Sequence, residues 1–422
     1  MNENDLLARQ HRLLSLNDPV SIFPDYSGYS LVNLPDSICN WLGIPGLGNS
    51  PLSESFDHRT ERYDRVILLL MDGLGWTRLQ KWMRDFPGEL AAWEHLLKKN
   101  HLFPLTSVSP STTCAALTTL NTGKTPAVHG NLGYELWLQE FGVTANMILH
   151  TPMTIRGGAG SLAKCGFKAS EFLPVSTLDT HLLAHGVDVQ ALHPAPIARS
   201  SLTEMLFPAA SLNAYRSMSD LWYRLREFIT TDDHLPAYLF AYWSEIDELS
   251  HFYGPEDRRV ILAFRDFTRY LTDLLDGISM PGKKKTMLVL SADHGLQAST
   301  ILPQYDLNRY KEFTDLLQIM PTGENRLPFL HVNPDKQEQV KAYIDEKWPG
   351  KFQVISGEAV ISSGLFGNGS IYEETKSRIG DLVVFPCKDA YWWWAPKENR
   401  LMGRHGGLSR DEMLVPLAFI EC

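Results

Sequence analysis

Long apolar runs are missing from this chain of 422 residues: the longest, Val66 to Met71, falls far short of the roughly 20 residues that cross a bilayer. No membrane span is expected. The opening stretch MNENDLLARQHRLL lacks a basic segment leading into an apolar one, which argues against a signal peptide. Cysteine is scarce. The five, at 39, 114, 165, 387 and 422, are odd in number and show no CxxC pair or framework spacing, which excludes a disulfide scaffold and points to reduced thiols and a cytoplasmic location. Positive charge is in deficit, with 39 Lys and Arg against 49 Asp and Glu and a net charge of −10, so a broad nucleic-acid surface is excluded. An anionic substrate would need local positive charge, which bound metal ions can supply. Repeats and low-complexity tracts are absent.

With 44% hydrophobic and 21% charged residues, the chain has the composition of a folded soluble protein and the length for two or three domains. Residues 1 to 60, rich in Pro, Gly, Ser and Asn, are expected to wrap the outside. VILLLM from Val66, AYLFAYW at 237–243 and TMLVLSA at 286–292 are continuous apolar runs bounded by turn residues, as in parallel strands buried on both faces. Helical spacing follows Asp72 toward Leu97 and recurs at 220–229 and 258–276. This alternation predicts an α/β fold: a doubly wound, mostly parallel central sheet flanked by helices. The rhythm breaks near 315–395, where short strands surround one charged helix. A small α+β cap is expected there, inserted into a catalytic domain made of 1–314 and 396–422.

Five separated patches carry the chemistry: LLLMDG with Asp72, SPSTTCAAL with Thr113, SEIDELSHFYG with Asp247 and His251, LVLSADHG with Asp293 and His294, and GRHGG with His405. Most lie where a strand or helix ends, the place where open α/β sheets hold ligands. Singly, each has an ordinary explanation. Asp72 reads as a turn or capping residue, Asp247 and His251 at i, i+4 as a hydrogen-bonded surface pair, and Thr113 as a helix N-cap, with Ser111 and Thr112 as rival hydroxyls. Jointly, three carboxylates, three imidazoles and a hydroxyl make enough ligands for two divalent metals with positions left open, the set used in metal-assisted phosphoryl chemistry.

The order Asp72, Thr113 followed by Thr122-Gly123 and His129-Gly130, Asp247 with His251, Asp293-His294-Gly295 and His405-Gly406 resembles the alkaline phosphatase superfamily, and within it the type I phosphodiesterase/nucleotide pyrophosphatase family. The resemblance covers about 65 to 300 and the segment near 405. It implies that Thr113 is the nucleophile, that Asp72, Thr113, Asp293 and His294 surround one metal, and that Asp247, His251 and His405 hold the other. It further implies two divalent ions, with zinc preferred and manganese admitted, and a small phosphorylated substrate that includes nucleotides as candidates. Tyr134 falls where the family usually has an asparagine that binds a phosphate oxygen. Ala115-Ala116 replaces the usual Pro-Asn after the nucleophile. These departures leave the ligand set whole and put nucleotide specificity in question.

Two +2 ions, three carboxylates and one alkoxide sum to zero, and 106–119 contains no Lys or Arg, so a diester monoanion suits the site better than a monoester dianion. The expected function is a two-metal hydrolase of phosphodiester or pyrophosphate bonds through a phosphothreonine intermediate. The alternatives are a phosphomonoesterase, a phosphonate hydrolase, and a module that binds phosphorylated ligands without turnover. Other motifs fail. NTGKT at 121–125 lacks the first glycine of a P-loop, the Cys114 run lacks the Cys-x-Pro-x-Arg of sulfatases, and Asn368-Gly369-Ser370 reads as a turn. Tyr391 to Trp394 are expected in the core of the cap, with stacking on a substrate as the alternative.

Overall fold

The computed structural model describes residues 1–56, 61–154, 157–231, 236–277 and 285–422. Strand Arg65–Met71 is buried along its whole length, as a run of β-branched and leucine side chains with no polar face requires. Ala237–Trp243 pairs with it in parallel on one side and Thr286–Ser291 on the other. Across the sheet the order is Leu102–Thr106, Leu414–Glu421, Thr286–Ser291, Arg65–Met71, Ala237–Trp243, Asp188–Pro194 and Ser211–Tyr215. Only Leu414–Glu421 runs against its neighbours. The fold is thus the expected α/β architecture with a mostly parallel sheet.

Helices flank this sheet in two groups. Trp76–Asp85, Ala91–Lys98, Met218–Thr230 and Arg258–Gly277 pack together through Trp82, Trp93, Trp222, Phe264 and Phe267. The helical stretch expected from Asp72 toward Leu97 is broken at Phe86–Leu90, where Pro87 and Gly88 cannot continue it. Leu34–Leu42, Thr113–Thr122, Leu178–Ala184 and Ser201–Leu206 form the second group. Leu34–Leu42 corrects the expectation that residues 1–60 only wrap the exterior, since every residue from Leu34 to Leu42 except Asn40 is buried. No helix among the described residues is long and apolar enough to cross a membrane.

A second sheet is antiparallel throughout and ordered Phe352–Ser356, Leu382–Pro386, Leu327–Leu330, Thr322–Glu324, Glu135–Leu138, Val143–Asn146, Thr151–Pro152. The segment 315–395 supplies its first four strands, and the sheet continues into 135–152. Those short strands carry no clear alternation, and the join between the two parts is one residue pair, Gly323 with Glu135. The aromatic core beneath begins ahead of 315, at Tyr305, and includes Phe313, Trp348, Phe352 and Trp392. All of Tyr391 to Trp394 is buried in it, which answers the stacking alternative: these rings are core.

Trp394 closes this core with a polar contact, its Nε1 donating to Glu135 Oε2 at 2.8 Å. Burial pushes the Glu135 carboxyl up to about 7, the Trp394 indole and Lys397 pulling it back only in part. An unfolded glutamate titrates near ~4.3, so between that value and about 7 the folded chain retains a proton that the unfolded chain has lost. The stability that Glu135 contributes must therefore fall as pH rises through this window. Glu135→Gln removes the dependence. In paired melts from about pH 5 to about pH 8 the native protein should lose several degrees more than the variant. Parallel profiles would mean that the folded carboxyl ionises normally.

Candidate active site

The sheet register brings the five patches together. Met71 is level with Trp243, and Leu70 is level with both Tyr242 and Ser291, so three adjacent parallel strands end at one edge. Asp72 follows the first, Asp247 enters on the helix Glu245–Tyr253 after the second, and Asp293-His294 follow the third. The antiparallel strand begins at that same edge, Leu414 opposite Thr106, so the His405 loop before it and the Thr113 segment after Thr106 arrive there too.

The seven predicted metal ligands converge. Thr113 Oγ1 lies 3.1 Å from His294 Nε2, and the same nitrogen is 3.5 Å from both Asp72 Oδ1 and Asp293 Oδ2. His294 and His405 stack with centroids 3.8 Å apart, and His251 meets His405 edge-on at 5.2 Å. Asp247 Oδ1 is 3.3 Å from His251 Nε2. Two ligand groups follow, Asp72 with Asp293 and His294, and Asp247 with His294 and His405, each with donor atoms within 4.8 Å of one another. His251 joins through Asp247.

Which hydroxyl faces this cluster was open in the sequence. Ser111 Oγ donates to Gly407 O at 2.7 Å and Thr112 Oγ1 donates to Glu324 Oε1 at 2.6 Å. Both rivals are engaged elsewhere, and Thr113 alone turns its hydroxyl to the cluster. Thr113 is also not the N-cap. Thr112 holds that position with extended φ and ψ, and its side chain makes no capping bond, so the first N–H groups of Thr113–Thr122 have no side-chain acceptor.

The donor set fits divalent cations. Asp72 Oδ1, Asp247 Oδ1 and Asp293 Oδ2 are buried and, among the described residues, accept no hydrogen bond. Such carboxylates are costly unless a cation meets them. Each imidazole places Nδ1 against a carbonyl: His251 on Gly403 at 2.9 Å, His294 on Gly295 at 3.1 Å and His405 on Ser111 at 3.2 Å. A carbonyl can only accept, so Nδ1 carries a proton and Nε2 is the nitrogen left to serve as a metal ligand. Burial, then the charges of Asp293 and Asp247, raise the Asp72 pKa. Burial opposes ionisation of Asp247, yet the adjacent His251 outweighs it and holds the carboxyl low, while burial of His251 is in turn outweighed by Asp247, which raises the imidazole. Burial and His294 keep His405 neutral.

The model of the type I phosphodiesterase/nucleotide pyrophosphatase family matches residues 66–408. The chain belongs to this family. As a type I phosphodiesterase relative it is a phosphoric ester hydrolase. Among solved structures, murine ectonucleotide pyrophosphatase/phosphodiesterase 5 is similar at 18% identity and a TM-score of 0.61, over 84% of this chain and 87% of that one. An inactive form of that protein is described in complex with AMP, with the same figures. Phosphonoacetate hydrolase from Sinorhizobium meliloti 1021, in complex with phosphonoformate, is similar at 17% and 0.59, over 84% and 89%. At these identities the likeness is one of fold. No curated protein matches the chain.

Sequence reasoning missed Tyr242 and Glu324 of this phosphodiesterase-family site, though it singled out Tyr134 and Gly295. Tyr242 Oη donates to Asp72 Oδ2, and a phenol at the end of a buried strand, needing a partner, was the available signal. Glu324 is 6% exposed, and its Oε1 accepts from both Thr112 Oγ1 and the Tyr134 N–H. Burial pushes this carboxyl up to about 8, the Thr112 hydroxyl and the Tyr134 N–H lowering it only in part. Tyr134 is half-buried, and burial raises its phenol to about 12, which keeps it a hydrogen donor. Gly295 has a steric role: a Cβ there would collide with the Asp411 carbonyl and come within 2.6 Å of Gly75 Cα. Backbone on two sides cannot yield cheaply. Gly295→Ala should displace the neighbouring His294, lowering the melting temperature by several degrees and activity by about tenfold or more. Unchanged melts and rates would show that the crossing has slack.

Proposed function

We propose that the chain is a two-metal hydrolase of phosphodiester or pyrophosphate bonds with Thr113 as nucleophile. The observation that carries this reading is the Thr113 hydroxyl turned toward a buried cluster of unpaired carboxylates, while Ser111 and Thr112 are occupied. Asp72, Thr113, Asp293 and His294 would hold one ion and Asp247, His251 and His405 the other. Oxygen and imidazole donors favour zinc and admit manganese. Bound ions would supply positive charge that stabilises developing negative charge and acidifies a hydroxyl or water.

Thr113 Oγ1 attacks phosphorus, the bond to the leaving oxygen breaks, and a phosphothreonine forms. Water then cleaves the Oγ1–P bond, restoring the hydroxyl and releasing a phosphate monoester. The free N–H groups at the start of Thr113–Thr122 suit the non-bridging oxygens, and Tyr134 is the proposed side-chain donor to the substrate.

Charge favours a diester over a monoester or a phosphonate. Arg326 binds Glu412 and the Ala390 carbonyl, and Arg404 binds Asn399 and the Leu401 carbonyl, so neither guanidinium is offered to a dianion. The test is zinc-loaded protein, with and without chelator, on bis-p-nitrophenyl phosphate, a dinucleotide, p-nitrophenyl phosphate and phosphonoacetate. Chelator-sensitive turnover fastest on the first two is expected. Preference for the last two would transfer the assignment to the monoester or phosphonate class, and no turnover by fully loaded protein would leave a binding module.

A further inference from the structure

Two ionisable residues beside one turn of the second sheet are buried, and they bond to two adjoining segments of the site. Glu324 ends strand Thr322–Glu324, Arg326 sits in the turn before Leu327–Leu330, and they are 6% and 2% exposed. Glu324 Oε1 ties the Thr112 hydroxyl to the Tyr134 N–H, at 2.6 and 2.7 Å. Its stem lies against Gly406, where an added Cβ would sit 2.5 Å from Glu324 Cβ. Arg326 donates from Nε to Glu412 Oε1 at 2.7 Å and from Nη2 to Glu412 Oε2 at 2.8 Å. Glu412 in turn accepts from the Gly407 N–H at 2.9 Å and from Ser409 Oγ at 2.6 Å. One turn therefore grips the residue ahead of Thr113 and the loop just after His405.

A turn that served only to fill space would be as well built from apolar side chains, because buried ion pairs add little stability over hydrophobic replacements. What a two-pronged guanidinium–carboxylate contact does add is fixed geometry. Hydrolytic sites need that: a displacement of about 1 Å can cost about a hundredfold in rate.

We infer that the turn Glu324–Arg326 is a positioning element of the hydrolytic site, holding the Thr113 and His405 segments in register with each other. The inference rests on the two-metal reading above.

The test uses the full chain, zinc-loaded, with bis-p-nitrophenyl phosphate as substrate. The variants are Glu324→Ala, Glu324→Gln, Thr112→Val, Thr112→Val combined with Glu324→Ala, and Arg326→Lys. Glu324→Ala should lower kcat about 30-fold with KM changed less than about threefold. Glu324→Gln should recover most of that, because its amide carbonyl accepts the same two bonds. The double variant should be no slower than Glu324→Ala alone, since both remove one contact. Arg326→Lys keeps the charge but loses the fork, and should weaken one of two zinc sites about tenfold in calorimetric titration of metal-free protein.

Should Glu324→Ala not fold, Thr112→Val carries the same expectation of a kcat loss without a KM change. Unaltered kcat in these variants, a glutamine variant as slow as the alanine one, or unaltered zinc affinities in Arg326→Lys would overturn the inference. Native protein that binds two zinc ions without cleaving any diester would instead refute the functional reading, and the Arg326→Lys titration would still judge the turn.

Discussion

Thr113→Ala is expected to lower kcat on a phosphodiester by about 10³-fold or more, with the melting temperature nearly unchanged. Among the described residues the hydroxyl has one polar partner, His294 Nε2 at 3.1 Å, so its loss breaks no structural network there. Alanine is also the best helix former, and position 113 opens Thr113–Thr122. No neighbour can take over, because the Ser111 and Thr112 hydroxyls are bound to Gly407 O and Glu324 Oε1. Thr113→Ser should retain measurable turnover, and brief incubation with a ³²P-labelled diester should leave label on the native chain and none on the alanine variant. Alanine at 113 with activity within about tenfold of native protein would remove Thr113 from the chemistry.

Stripping divalent ions should produce the second large effect. Asp72 and Asp293 each place a carboxylate oxygen 3.5 Å from one imidazole nitrogen, and these oxygens, with Asp247 Oδ1, accept no hydrogen bond among the described residues. Without a cation the three acids repel in a buried space. Metal at a thousandfold excess over Kd would stabilise by about 4 kcal/mol, so chelator should lower the melting temperature by several degrees or more. Asp72→Asn separates repulsion from ligation. It should raise the melting temperature of metal-free protein, where it removes one buried negative charge, and lower that of the zinc-loaded protein, where it removes a ligand. A shift of the same sign and size in both states would mean that these acids do not form a cation cage.

The strands that carry the ligands were legible because Arg65–Met71, Ala237–Trp243 and Thr286–Ser291 are apolar on both faces and stop at turn residues. Their common edge could be expected from the α/β pattern, and Asp247 with His251 from i, i+4 spacing. Leu102–Thr106 and Leu414–Glu421 were hidden. Each contains a proline, Pro104 and Pro416, which interrupts its apolar run and argues against a buried strand. The strands of 135–152 are too short to show a period. Within the site, residue types revealed the ligand set, but the choice among Ser111, Thr112 and Thr113 depended on Gly407 and Glu324, far away in sequence. Glu324 itself had no local signal, being one glutamate in a short hairpin. Tyr242 had one in its position at the end of a buried run.

The position of Leu414–Glu421 between Leu102–Thr106 and Thr286–Ser291 has a consequence for how the molecule is made. On the ribosome, the flanking strands emerge long before the one that joins them. Until it arrives, the nascent sheet holds an open slot with two unsatisfied edges, a state prone to mispairing. Insertion of Leu414–Glu421 would zip the slot shut and, in the same event, draw the His405 loop into place, so that hydrolytic competence would wait on this one strand.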